Sequence, residues 1–339
     1  MTIDWWMAVG GLVVGFVVGL TGMGGGALMT PMLVLLFNVN PLTAVSSDLV
    51  TSAVMKPVGS IVHIRRRTVS WSVVGWLMAG SVPSAFCGVF VLNWLGGDDP
   101  EAVQHAVKKS LGIALIIATC GLIAKAWTEM NARATRRSTP GSAPAPADDE
   151  PVVARRLPTV LIGLIGGLVV GMTSVGSGSL IIVALMAVYP RLSMKRLVGT
   201  DLVQAVPLVA AAALGHVLYG DFELDITTSL LLGSIPGVWL GARWSSVAPT
   251  GLLRRALSLV LLASALKLLE VPTATTGVVL IALVLLAPPL WVLLRRSRGL
   301  RDGSFGHELV SFLTSGGRGR TQAQPQADSA DFVASREQV

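Results

Sequence analysis

A stripe of polar residues crosses an otherwise apolar segment in the first half of the chain. Its members follow one another at intervals of four, four, three and four residues, and they are Asp48, Ser52, Lys56, Gly59 and His63. This spacing places all five on one face of an α-helix. A lysine on such a face supplies a positive charge that suits an oxyanion, and a histidine can carry a proton near neutral pH. We therefore interpret Asp48, Lys56 and His63 as candidate ligand-binding residues.

Two glycine- and serine-rich breaks interrupt long apolar runs, at residues 21–26 and 173–179. Glycine tolerates positive φ and close backbone approach, so each break can interrupt a helix. Non-helical backbone at membrane depth is tolerated only where it is buried in protein or lines a cavity. Matching breaks in two halves of a transporter mark its binding site, and their N–H groups favour anions. The breaks supply the candidate binding residues Thr21, Gly22, Gly24, Gly25, Gly26, Ser174, Gly176, Ser177 and Gly178.

The elements that position these residues must be membrane-spanning helices. Of the 339 residues 52% are hydrophobic and only 13% are charged, whereas a soluble domain carries about 25% charged residues. The mean hydropathy is +0.69. Several apolar runs reach the length of about 20 residues that a bilayer crossing needs, without the alternating polarity of barrel strands. The sequence therefore predicts an all-α polytopic membrane protein with about eight to ten membrane segments.

The two halves of the chain repeat each other. At an offset of 152 residues, glycines of the first half fall on glycines of the second, pairing Gly11, Gly15, Gly19, Gly24 and Gly26 with Gly163, Gly167, Gly171, Gly176 and Gly178. At an offset of 153, Asp48 matches Asp201 and His63 matches His216. Apolar composition alone would not pair two of only four histidines. We predict two homologous helical repeats, and the opposite charges of the equivalent loops 65–67 and 221–223 indicate that they are inverted.

The duplication extends the candidate site into the second half, where Val209 replaces the lysine and makes the site lopsided. The additional candidates are Ser47, Thr200, Asp201 and His216. Other roles stay open. Glycine stripes can pack helices through small residues, the aspartates can cap or bridge helices, and the histidines can lie at the membrane interface. Gly-Ser-x-Pro, present at 80–83 and 233–236, predicts kinks that shape the cavity.

Composition shifts divide the chain. We predict a first repeat over 1–128, a polar linker over 129–156, a second repeat over 157–270, a further transmembrane helix over 271–294 and a disordered basic and polar tail over 295–339. The N-terminus lacks the basic region and cleavage site of a signal peptide, so the first span is expected to be retained. Cys87 and Cys120 lie in apolar runs and are expected to be small buried hydrophobic residues.

These motifs together resemble the sulfite exporter TauE/SafE family, also called 4-toluene sulfonate uptake permeases. The resemblance covers about residues 8–270 and rests on Gly22-Met23-Gly24-Gly25-Gly26 with Pro31, on Val198-Gly199-Thr200-Asp201-Leu202, and on the following histidine and Gly-Ser-x-Pro of both halves. The first half departs from this pattern with Ser46-Ser47-Asp48, and the second break reads Gly-Ser-Gly. The resemblance implies a duplicated helical permease that moves sulfite, sulfonates or related anions, usually outward, across the bacterial inner membrane.

The expected function is a secondary transporter, an exporter that binds its anion between the two breaks. The expected partners are a small anion and the lipid bilayer, and a homo-oligomer is compatible with the sequence. Cys, His and Glu are too sparse for an enzyme's catalytic set or a metal site, so no cofactor is expected. A basic face with stacking aromatics is missing, which argues against nucleic acid. An accessory membrane subunit or a membrane-embedded enzyme is the alternative, and a channel is a third reading.

Overall fold

The computed structural model describes residues 3–21, 25–97, 99–138, 153–190, 192–244 and 250–296. Gly22 and Gly24 of the first break lie outside these residues, as do most of the predicted linker and the tail from residue 297 onward.

The described residues are helical, as the predicted fold class requires, and contain no β-strand. Twelve helices follow one another: α1 (Trp5–Thr21), α2 (Gly26–Leu36), α3 (Pro41–Arg65), α4 (Trp71–Phe86), α5 (Gly88–Gly96), α6 (Pro100–Ser138), α7 (Arg156–Thr173), α8 (Leu180–Val188), α9 (Met194–Tyr219), α10 (Leu224–Trp244), α11 (Thr250–Leu268) and α12 (Thr273–Arg296). All twelve belong to one compact unit.

Side chains at the helix ends explain where several helices begin. The Asp4 carboxylate accepts hydrogen bonds from the backbone N–H groups of Trp6 and Met7, at 2.8 and 3.2 Å, and so caps the start of α1. Ser193 caps α9 by accepting from the backbone N–H of Arg196. These local contacts fix the ends of helices whose middles are almost uniformly apolar.

Five of the described helical segments are long and apolar enough to cross a membrane: Trp71–Leu95, Pro100–Thr128, Arg156–Thr173, Lys195–Tyr219 and Leu224–Trp244. Large hydrophobic side chains, including Trp5, Trp94 and Trp239, are exposed on the outside of the unit. Such a surface would be unfavourable in water but suits contact with lipid. The chain is therefore a multi-pass membrane protein.

Helices of one half pack most extensively on helices of the other, α1 on α10 and α4 on α7. The glycine stripes make these contacts, since Cβ atoms built on Gly15 and Gly167 would lie 2.5 Å from the carbonyl oxygen of Ser234 and 2.4 Å from that of Ser81. Ser81 and Ser234 are themselves equivalent at the offset of 153. The glycines thus serve close helix packing, and the matched contacts support the predicted duplication.

Two expectations need correction. Helix α6 continues to Ser138, through the first ten residues of the predicted linker, because residues 129–138 include the helix formers Met130, Ala132 and Arg133. Cys87 and Cys120 are exposed and not buried, since an apolar thiol is tolerated on the outside of a membrane helix. The prolines expected to kink their helices, Pro83 and Pro236, lie inside α4 and α10.

The glycine contacts predict a difference between two substitutions. Gly167→Ala adds a methyl group against Ser84 Oγ and the backbone of Ser81, and overpacking should cost about 1–3 kcal/mol of unfolding free energy. Gly75→Ala is the matched control, because its new Cβ would meet no atom within 4 Å. Thermal unfolding in detergent should show a lower midpoint for the first variant alone. Equal midpoints would contradict the close packing of α7 on α4.

Candidate substrate-binding site

A cavity of about 230 Å³ lies where the two halves meet. Three members of the polar stripe on α3, namely Ser52, Lys56 and Gly59, line one wall. Thr21 and Gly25 of the first break and Ser177 and Gly178 of the second also line the cavity, as do Asp201 of α9 and Lys125 of α6. The remaining lining is mainly apolar and includes Met55 and Ile182. Residues that are far apart in sequence thus share one hollow.

Lys56 is the cation on the α3 wall of this cavity. Its side chain is 9% exposed, and its Nζ donates a hydrogen bond of 2.6 Å to Ser177 Oγ in the second break. Both Asp48 and Asp201 lie close enough to interact with it electrostatically. A buried ammonium group needs such partners, because burying an unpaired charge is very costly.

The second break is non-helical where the charged groups converge. Helix α7 ends at Thr173 and α8 begins at Leu180, and Ser174, Gly176 and Gly178 between them have φ of 58°, 127° and 95°. Residues other than glycine rarely adopt the backbone conformations of Gly176 and Gly178, which explains why glycine occupies these two positions. These turns direct the Ser177 hydroxyl to Lys56 and the Gly178 backbone N–H to the Asp201 carboxylate.

The two breaks touch each other. A Cβ built on Gly26 would lie 1.9 Å from the carbonyl oxygen of Ser174, so only glycine allows this approach. Gly25 lines the cavity, and a Cβ built on it would be in ordinary contact with Met55 and Ser52, each at 3.5 Å. In the described part of the first break, Gly26 therefore packs against the second break and Gly25 borders the cavity.

Asp48 is fully buried behind the cavity wall. It accepts hydrogen bonds from Thr30 of α2 at 2.7 Å, from Ser52 at 3.3 Å and from the side chain of Ser174. It does not line the cavity. These contacts tie α3 to α2 and to the second break, which matches the open alternative that the aspartates bridge helices.

Asp201, the equivalent of Asp48, does face the cavity. Its carboxylate accepts from Gln204 Nε2 at 3.1 Å, and Gln204 Oε1 in turn accepts from Ser81 Oγ at 3.0 Å. The pseudo-equivalent aspartates thus have different surroundings: one is enclosed by hydroxyl groups and the other borders the hollow.

Four further candidates do not line this cavity. His216 is buried, with Nδ1 2.9 Å from Ser46 Oγ and Nε2 donating to the Gly171 carbonyl at 2.7 Å. His63 is half-buried near the end of α3, with Nδ1 2.9 Å from Thr68 Oγ1. Thr200 Oγ1 accepts from the backbone N–H of Ser70, and the buried Ser47 hydroxyl has no hydrogen-bond partner among the described residues.

Sequence reasoning missed Lys125 and Gln204. Lys125 lies on α6, within the membrane-spanning segment Pro100–Thr128, and interacts electrostatically with Asp201. The rule that an ionisable residue inside a membrane segment is a functional candidate would have found it. Gln204 lies one helical turn after Asp201, and only the fold shows that it joins Asp201 to α4.

In the described part of the chain, no group of three or more His, Cys, Asp or Glu side chains could hold a metal ion. The polar groups around the cavity are ammonium, hydroxyl, carboxylate and main-chain N–H groups. Cationic and N–H donors around a small cavity are suited to binding an anion reversibly.

Residues 7–268 match the sulfite exporter TauE/SafE family. The chain is 35% identical over 262 residues to "Probable membrane transporter protein YjnA" of Bacillus subtilis (strain 168), covering 76% of this chain and 97% of the relative. It is 22% identical over 246 residues to "Probable membrane transporter protein YdhB" of the same organism, covering 72% and 91%. No solved structure matches the chain.

The helical fold and the cavity agree with the properties of a helical membrane transporter. The chain belongs to the sulfite exporter TauE/SafE family, as the resemblance implied, and it is a transporter of that family and not an enzyme.

The surroundings of Asp48 predict a structural role that can be measured. Asp48→Ala removes the acceptor of the Thr30 and Ser174 hydroxyls inside the bundle, and unsatisfied buried donors should cost about 2–3 kcal/mol in all. Thermal unfolding in detergent should show a clear fall in the midpoint. Glu223→Ala, which removes an exposed carboxylate, is the control and should leave the midpoint unchanged. An unchanged midpoint for Asp48→Ala would contradict the bridging role.

Proposed function

We propose that the protein is a secondary transporter, acting as an exporter in the bacterial inner membrane, for a small sulfur-containing anion such as sulfite or an organosulfonate. The observation that carries this proposal is the hydrogen bond of 2.6 Å between Lys56 of the first half and Ser177 of the second, at the wall of the shared cavity. This contact brings a cation and a hydroxyl donor from opposite halves to one point.

The chemistry of the cavity suits an oxyanion. An anion that leaves water must receive new donors and a compensating charge, because an unpaired buried charge is very costly. Lys56 supplies the charge, Ser177, whose Oγ accepts from Lys56 and keeps its own proton, supplies a hydroxyl donor, and the second break supplies main-chain N–H groups. The cavity volume of about 230 Å³ is several times the volume of about 30 Å³ that one water takes in the liquid. Sulfite or a short sulfonate fits there and can keep part of its hydration.

The position of the cavity between the halves supports alternating access. In transporters with repeats, one bundle rocks against the other around a fixed site formed by broken helices. Here Lys56 and the second break belong to different halves, so a movement between α3 and α7–α8 would open or close the cavity. The sequence has no nucleotide-binding motif. The driving force is therefore an ion gradient or the membrane potential.

Transport in proteoliposomes tests the proposal. The purified protein should move sulfite or 2-hydroxyethanesulfonate with saturating kinetics, and Lys56→Met should lower kcat/KM at least tenfold because the anion loses its compensating charge. Lys109→Met is the matched control: it removes one exposed lysine from α6, outside the cavity, and should transport like the parent protein.

Three results would contradict the proposal. Equal transport by the Lys56 and Lys109 variants would remove Lys56 from the site. Flux that does not saturate would indicate a channel. No flux and no thermal stabilisation with sulfite, thiosulfate, sulfate or 2-hydroxyethanesulfonate would favour an accessory subunit or a membrane-embedded enzyme.

A further inference from the structure

The Asp201 carboxylate interacts with donor groups that a bound anion would also need. It accepts from the Gly178 backbone N–H, next to the Ser177 that holds Lys56, and it interacts electrostatically with Lys56 and Lys125. Asp201 also lines the cavity. The Asp201 carboxylate therefore occupies the position at the second break where a substrate anion would find its donors.

Four charged groups at and behind the cavity wall interact with one another. They are two lysines, Lys56 and Lys125, and two aspartates, Asp48 and Asp201. The formal charges of these four groups sum to zero. A monovalent anion would bring that sum to minus one at a mainly apolar site, which is unfavourable. Adding one proton to a carboxylate restores neutrality.

The surroundings of the two aspartates decide which one takes the proton. Asp48 lies behind the cavity wall, where its carboxylate accepts hydrogen bonds from Thr30 and Ser52. Asp201 accepts from Gln204 and Gly178 and borders the hollow, where water and substrate enter. A proton from the cavity can reach Asp201 directly, whereas it cannot reach Asp48 without breaking buried contacts.

We propose that Asp201 is the proton-coupling residue of this transporter, and that its carboxylate and the substrate anion compete for the Gly178 N–H and the charge of Lys56. This proposal rests on the proposed function of the same cavity. Proton binding to Asp201 forms one O–H bond and frees the donors, and the anion then binds. When the anion leaves on the other side of the membrane, Asp201 releases its proton to the same side. Its carboxylate then interacts again with the Gly178 N–H and with Lys56. Anion and proton thus move in the same direction, one proton for each anion.

Raising the pH should weaken anion binding, because the anion binds to the form of the protein in which Asp201 is protonated. Where Asp201 titrates, affinity should fall about tenfold per pH unit for one coupled proton. Asp201→Asn imitates the protonated residue, because the amide has nearly the same shape and carries no charge. Its affinity should therefore vary less than twofold over the same pH range.

The experiment measures anion flux and proton movement together. Proteoliposomes with an internal pH dye and a clamped membrane potential receive a gradient of sulfite, thiosulfate, sulfate or 2-hydroxyethanesulfonate. The last three stay ionised near neutral pH, so protons that move with them must pass through the protein. Protein-free liposomes provide the correction for leakage. The parent protein should acidify the side to which the anion moves, and Asp201→Asn should exchange anion for anion without moving protons.

Matched variants keep the test decisive. Glu101→Gln removes an exposed carboxylate at the start of α6 and should keep proton movement. Thermal unfolding establishes that Asp201→Asn is folded. Anion flux in the parent protein without proton movement, or proton movement that survives in Asp201→Asn, would overturn this inference and leave the proposed function standing. Absence of flux with all four anions would instead overturn the proposed function.

Discussion

The rest of the structure depends on the need to pair every main-chain polar group inside a bilayer. In hydrocarbon an unpaired N–H or C=O group is very costly, so a helix can stop at membrane depth only if protein groups take over its bonds. The second break meets this condition through contacts to other helices. Ser174 bonds to Asp48, Ser177 to Lys56 and Gly178 to Asp201. The break between α7 and α8 therefore depends on the buried charged residues for its polar contacts, and these residues depend on the break for theirs.

This requirement ties the two halves of the chain to each other. The second break lies in the second half, but two of its three polar partners are on α3 of the first. The glycine stripes add to these contacts by packing α1 on α10 and α7 on α4. Small residues let these backbones come close, and in a membrane close packing and hydrogen bonds hold helices together in place of the hydrophobic effect. Close helix packing thus surrounds the polar contacts of the second break.

The polar residues of the two predicted repeats have different surroundings. The first half supplies Lys56, and the second has Val209 at the equivalent position, which is buried. Asp48 is enclosed by hydroxyl groups, while its sequence counterpart Asp201 borders the cavity. Residues that match in sequence thus do not share the same contacts.

The sequence by itself determined the membrane-helical class, the family, and the positions of the breaks and of the stripe on α3. These follow from local properties: apolar length, helical spacing, and the freedom of glycine. Tertiary structure alone decided which stripe residues share a cavity. Ser52, Lys56 and Gly59 line it, whereas His63, one turn further on, contacts Thr68. Lys125 reaches the site from α6, and His216 bonds to Ser46 and the Gly171 carbonyl. Spacing along one helix fixes a common face, but what that face meets depends on helices distant in the chain.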